Sequence, residues 1–142
     1  MKTPARYEHF EVEADVGVRA WAPTLAEAFA HTALGVFALI VPPDDVAERE
    51  TREVRAQGDG LETLLVSWIN ECLYVHEIEG FAVHRVGVTV EPGTFVHGVL
   101  HGEPIDAGRH RLGTVVKAAT LHGVAVTGDP EGGYETCLVV DV

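Results

Sequence analysis

Asp59-Gly60-Leu61-Glu62-Thr63-Leu64-Leu65-Val66-Ser67-Trp68-Ile69-Asn70-Glu71-Cys72-Leu73 is the stretch that decides the fold class. Leu61, Leu64, Leu65, Trp68, Ile69, Cys72 and Leu73 recur at helical spacing as one apolar stripe, and Asp59 stands where a capping aspartate is expected. Gly80 follows the end of this helix. Working outward, both flanks change period. Glu50 to Gln57 is polar and reads as an exposed edge strand. Phe81 to Glu91 and Thr94 to Gly102 read as strands about a Pro92-Gly93 turn, and a long strand-like run extends from Thr114 to Thr127. Gly128-Asp129-Pro130-Glu131-Gly132-Gly133 then leads, as a hairpin, into a last strand from Tyr134 to Val142.

The first part of the chain repeats the scheme. Phe10, Val12, Ala14, Val16, Val18 and Ala20 alternate as strands with one buried face do, and Asp15 and Gly17 mark a break between two of them. Thr24-Leu25-Ala26-Glu27 is a capping box, after which Leu25, Ala28, Phe29, Ala33, Val36, Phe37 and Ile40 keep helical spacing. Pro42-Pro43 stops that helix, because neither proline donates a backbone hydrogen bond and the first biases Val41 away from helical geometry. Strands on both sides of two helices give an α+β class: a mixed, largely antiparallel sheet with the two helices on one face. The chain has 142 residues. With no repeat, linker or low-complexity segment, residues 1–142 are expected to form one domain.

The formal net charge of -12 bears most directly on partners. An acidic surface repels phosphate backbones, so direct nucleic-acid binding is not expected, and a basic protein partner is the natural complement. Phe29 to Val41 is the longest apolar stretch, is interrupted by His31 and Thr32, and is too short to cross a bilayer. Met1-Lys2-Thr3-Pro4 leads into strand-like sequence without a signal-peptide core, so no membrane and a cytoplasmic location are expected. Cys72 and Cys137 lie far apart in apolar surroundings and read as reduced core residues.

An acidic residue inside the apolar terminal run Val139-Val140-Asp141-Val142 is costly unless it is paired or coordinates something. Asp15, between Ala14 and Val16, poses the same problem. With the α-carboxylate of Val142, these two would make an all-oxygen site suited to a hard divalent cation, calcium or magnesium. Read from the residues alone, solvated strand-end carboxylates remain the competing account. His9, His31, His76, His84, His97, His101, His110 and His122 are scattered without zinc-site spacing. Lys117 and His122 stand out within the apolar Thr114–Thr127 run, although a lone lysine there usually reaches solvent along its stem. Ser67 has no nucleophile elbow around it, and no phosphate-binding GxxxxGK[ST] occurs, so neither a serine hydrolase nor nucleotide binding by the chain itself has sequence support.

Five segments, in order, resemble the archease family. They are Ala14-Asp15-Val16-Gly17; Thr24-Leu25-Ala26-Glu27-Ala28-Phe29; Leu61 to Glu71; Thr114-Val115-Val116-Lys117-Ala118-Ala119-Thr120-Leu121-His122; and the closing Leu138-Val139-Val140-Asp141-Val142. The resemblance implies an archease-like fold and a non-enzymatic role: activation of an RtcB-type RNA ligase, promoting its guanylylation and multiple turnover in tRNA splicing and RNA repair. It implies no catalytic residues in this chain. It also implies that Asp15, Asp141 and the terminal Val142 bind a divalent metal, calcium first, with magnesium or manganese as alternatives.

Lys117 and His122 match the family's later motif and become candidates for supporting the metal site or for contact with the ligase. One departure stands out: the family's usual His-Thr-Ala-Asp is Val12-Glu13-Ala14-Asp15 here. Glu13 could supply a compensating carboxylate if the strand ran unbroken to Asp15. Two other classes compete with the activator: a small metal-dependent hydrolase that activates water itself, and a chaperone or adaptor in which Asp15 is purely structural.

Overall fold

The computed structural model describes residues 6–91 and 95–142. The N-terminal Met1 to Pro4 and the turn expected at Pro92-Gly93 lie outside the described residues, as does Thr94. The elements run β1 (Tyr7–Val12), β2 (Asp15–Ala22), α1 (Leu25–Ile40), β3 (Glu50–Gln57), α2 (Leu61–Glu79), β4 (Phe81–Glu91), β5 (Phe95–Pro104), β6 (Ala118–Asp129) and β7 (Gly133–Asp141), with a short 3-10 turn at Pro43–Asp45. The class is α+β.

The strands form two sheets where the periodicity suggested one. The first has the order β1-β2-β7-β6 and the second β3-β5-β4. All the pairings in both are antiparallel. The division follows from the connections: β4 and β5 pair as neighbours in sequence, while residues 105–117 carry the chain back to β6 and to a β7 that joins β2. As its polarity suggested, β3 is an edge strand.

Helix α1 begins and ends where its sequence says it should. The Thr24 hydroxyl accepts from the Glu27 amide at 3.1 Å, and Val41 leaves the helix with an extended backbone ahead of Pro42. The start of α2 differs from the reading that gave Asp59 the capping role. The cap position falls on Gly60, one residue later, and it is the Thr63 hydroxyl that accepts from the Gly60 amide at 3.0 Å. Gly80 closes α2 with φ of 59°, the left-handed conformation for which glycine is the preferred residue.

The core lies between helices and sheets. Phe29 and Phe37 of α1, Trp68 and Ile69 of α2, Phe81 of β4, Leu100 of β5 and Leu138 of β7 are all buried. Each such side chain contributes about 1.5–3 kcal/mol by leaving water. Trp68 is held at both ends: its indole N–H donates to the Phe29 carbonyl at 3.0 Å, and its ring occupies the space that a Cβ at Gly98 would need. Thr32 of α1 and Thr136 of β7 share a buried hydroxyl–hydroxyl bond of 2.6 Å, which ties the first helix to the strand that carries Asp141.

The run expected as one strand from Thr114 begins only at Ala118. The amides of Gly113 and Thr114 instead donate to the Ile40 and Leu39 carbonyls, each at 2.7 Å. Those are carbonyls left open at the end of α1, so this segment caps a helix and cannot at the same time extend a sheet. Within β6, residues 121–124 bulge out between the pairs Thr120–Val139 and Ala125–Cys137, opposite Leu138 alone.

Candidate functional site: a carboxylate pair at the end of the first sheet

Strand β7 lies between β2 and β6, and its register brings the two aspartates together. Val16 pairs with Val140, so one further step sets Asp15 opposite Asp141. Asp15 also pairs with Val12 of β1, and Asp141 with Ala118 of β6. The two carboxylates therefore belong to one cross-strand row, Val12–Asp15–Asp141–Ala118.

Alternation assigns the row to a face. Val18 and Ala20 of β2, with Leu138 and Val140 of β7, turn into the core. Asp15 and Asp141 fall on the opposite face, with Gly17, Arg19 and Val139 as their same-face neighbours. Residues directly opposite on one face have Cβ atoms about 4.5–5.5 Å apart, and like charges so placed repel. Both aspartates are half-buried. Among the described residues, neither makes an ion pair with a lysine, arginine or histidine.

The backbone around the pair is well tied. The Lys117 amide donates to the Asp141 carbonyl at 2.8 Å. Val142 and Val16 pack against the core and so fix the strand ends beside the aspartates. Beneath the row, Phe10 lies on Gly17, and the Arg19 guanidinium stands 4.9 Å over the Phe10 ring.

The remaining candidates divide. Lys117 is exposed and precedes β6; its backbone, at least, touches Asp141. His122 is exposed in the β6 bulge. Glu13 does not continue a strand towards Asp15: it occupies the tight turn between β1 and β2, exposed and with φ of 44°. The condition on which strand alternation would have aligned it with Asp15 is therefore not met. Among the described residues no group of three or more His, Cys, Asp and Glu side chains converges as a metal cage.

Two polar features escaped the sequence reading. Glu103, at the end of β5, is only 1% exposed and is satisfied on both oxygens. Oε1 accepts from Arg109 at 2.5 Å, and Oε2 accepts from the Ala47 amide at 2.7 Å and from His110 Nε2 at 2.9 Å. The Asp106 amide donates to His110 Nδ1, which places the imidazole proton on Nε2, facing Glu103. The Arg109 hydrogen bond is the main cause that lowers the Glu103 carboxyl to about 2, against the opposing effect of burial. This cluster anchors the start of residues 105–117, whose far end meets Asp141.

The second feature is Asn70 on α2. Its side-chain oxygen accepts from the Ala119 amide at 2.7 Å and its side-chain nitrogen donates to the Ala119 carbonyl at 3.3 Å. In the sequence it was one polar residue beside the apolar stripe, and only its double contact with β6 distinguishes it.

The helices and strands define a two-sheet α+β domain, and the comparisons with known proteins give its family. Residues 7–142 match the Archease protein family (MTH1598/TM1083). The chain is 35% identical over 140 residues to the "Protein archease" of Pyrococcus abyssi, covering 96% of this chain and 99% of that one. It is 37% identical over 137 residues to that of Saccharolobus islandicus, with 96% and 98% covered. The solution structure of Methanobacterium thermoautotrophicum protein 1598 superposes with a TM-score of 0.80 at 27% identity, over 98% of this chain and all of that one. The chain belongs to the archease family. No helix among the described residues is long and apolar enough to cross a membrane.

Proposed function

We propose that this protein is a cytoplasmic, non-enzymatic activator of an RtcB-type RNA ligase, promoting guanylylation and turnover of the ligase in tRNA splicing and RNA repair. In this reading a divalent cation is held by Asp15, Asp141 and the α-carboxylate of Val142. The observation that carries the metal role is the register that sets two half-buried aspartates opposite each other, with no ion pair to either among the described residues. Such a pair is self-repelling until a cation joins it, and an all-oxygen donor set favours a hard ion, calcium ahead of magnesium or manganese.

The fit is partial by design. Calcium takes about six to eight oxygen ligands, more than this chain end supplies, which leaves positions for water or for oxygens of a partner and its nucleotide. The bound ion would supply positive charge for phosphate oxygens. The chain's own residues hold the carboxylates in register and present them at the edge of the molecule. Lys117, whose amide bonds the Asp141 carbonyl, and His122 in the β6 bulge are both exposed and are candidates for contact with the ligase; the overall charge of -12 suits a basic docking partner.

The test is single-turnover guanylylation of the cognate ligase with GTP and divalent metal, with and without this protein and its Asp15→Ala and Asp141→Ala variants. Stimulation that folded variants no longer give supports the activator. Stimulation that survives both substitutions points to an adaptor in which the aspartates are structural. Absence of stimulation by the intact chain rejects the ligase role.

A further inference from the structure

Among the described residues, strand β6 is an outer strand of the first sheet, with β7 on one side only. A free strand edge presents N–H and C=O groups that need partners. At Ala119 both groups are taken by one side chain, Asn70, whose carboxamide has the donor and acceptor of a peptide group. Helix α2 thereby completes the strand edge at a single point. Ala119 pairs with Val140, and its neighbour Ala118 pairs with Asp141. Two residues before Ala119, the Lys117 amide bonds the Asp141 carbonyl at 2.8 Å. An unbroken series of short contacts thus runs from the Asn70 side chain through the start of β6 to the backbone of Asp141.

We propose that Asn70 is a positioning residue for the carboxylate pair: it substitutes for a missing neighbouring strand at Ala119 and so fixes the β6 segment that holds Asp141 opposite Asp15. The hydrophobic stripe of α2 cannot do this alone. That stripe packs the helix into the core, whereas the two hydrogen bonds set where β6 lies along the helix. Without them Ala119 would turn its peptide groups to water, the start of β6 would separate from α2, and the Lys117–Asp141 bond would open more often. The affinity part of the inference rests on the proposed metal role; the positioning part does not.

The experiment therefore has two readouts on the full chain. Amide hydrogen exchange is followed by NMR in the native protein, in Asn70→Ala and in Asn70→Asp, with Leu100 of β5 as an internal reference in the other sheet. Loss of the side-chain bonds should speed exchange at Lys117 by about tenfold while Leu100 keeps its rate. Asn70→Asp preserves the shape and the acceptor but sets a carboxylate against the Ala119 carbonyl. It should speed Lys117 as well, which separates hydrogen bonding from packing and covers the case in which Asn70→Ala does not fold. Calcium titration of the same proteins should show weaker binding in both variants.

Unchanged Lys117 exchange, or an equal rise at Leu100, overturns the positioning role. Faster Lys117 exchange with native calcium affinity overturns the link to the site. If the native chain itself takes up no divalent ion, the metal reading of the function fails, and the exchange at Lys117 still decides whether Asn70 positions Asp141.

Discussion

Phe10 lies across Gly17, its partner on the adjoining strand, so closely that a Cβ at position 17 would collide with the ring. The glycine thus makes room for an aromatic cover on the sheet face that also carries Asp15 and Asp141. Gly17→Ala should displace Phe10 and cost about 1–3 kcal/mol. In a Phe10→Ala background the same change should cost much less. Urea unfolding of the four proteins in this cycle checks the coupling; additive costs would mean that the ring is not what the glycine accommodates.

The carboxylate pair should reverse its effect on stability with cation. Without metal, Asp15→Asn removes a like-charge contact and should stabilise the fold by roughly 0.2–1 kcal/mol. With calcium at about a hundred times its dissociation constant, the native chain should gain about 2.7 kcal/mol that the variant lacks. Thermal unfolding with and without calcium should show the two curves exchange order. A variant less stable than the native chain under both conditions would make Asp15 a structural residue.

Glu103 ties acid stability to residues 105–117. Its carboxyl titrates at about 2 in the folded chain, held down chiefly by Arg109, against the ordinary 4.5. A folded value below the unfolded one means that this site's contribution is complete above pH 4.5 and is lost as the pH falls towards about 2. Glu103→Gln should be less stable than the native chain above that window, and the difference should shrink on descending through it. Denaturant midpoints across the window read the effect, and a constant difference between the two proteins would contradict it.

Glu13 holds φ of 44°, a conformation that costs an L-residue about 1–2 kcal/mol. Glu13→Gly should relieve most of that cost, less the entropy that glycine adds to the unfolded chain, for a net gain of about 0.5 kcal/mol. Denaturant unfolding measures it. A loss of stability would show that the Glu13 side chain makes a compensating interaction.

Much of the fold was legible because much of it is local. The capping box at Thr24, the proline stop, the edge character of β3 and the apolar stripe of α2 are written in spacings of a few residues. The division into two sheets is not local: Val16 finds Val140 across most of the chain, and alternation reports a strand's buried face without naming its neighbour. Residues 114–117 have strand-like composition, but α1 has already claimed the amide of Thr114. Asp15 and Asp141 could be singled out because each interrupts an apolar run. Glu103 could not, since a glutamate before Pro104 reads as a solvated strand end, and its partners Ala47, Arg109 and His110 come from segments with no pattern of their own.

The placement of β7 between β2 and β6 also sets an order of assembly. Strands β3, β4 and β5 can pair among themselves as soon as residues 50–104 are available, whereas the β1–β2 hairpin has no second neighbour until β7 arrives. Closing that gap is the pairing of greatest sequence separation, and so the step with the largest loop-closure cost. During refolding, pulse-labelled amides of β4 and β5 should accordingly be protected before those of β2. The end of the molecule that carries the aspartates would be the last to take shape, and a chain that had not finished folding would have no carboxylate pair to offer.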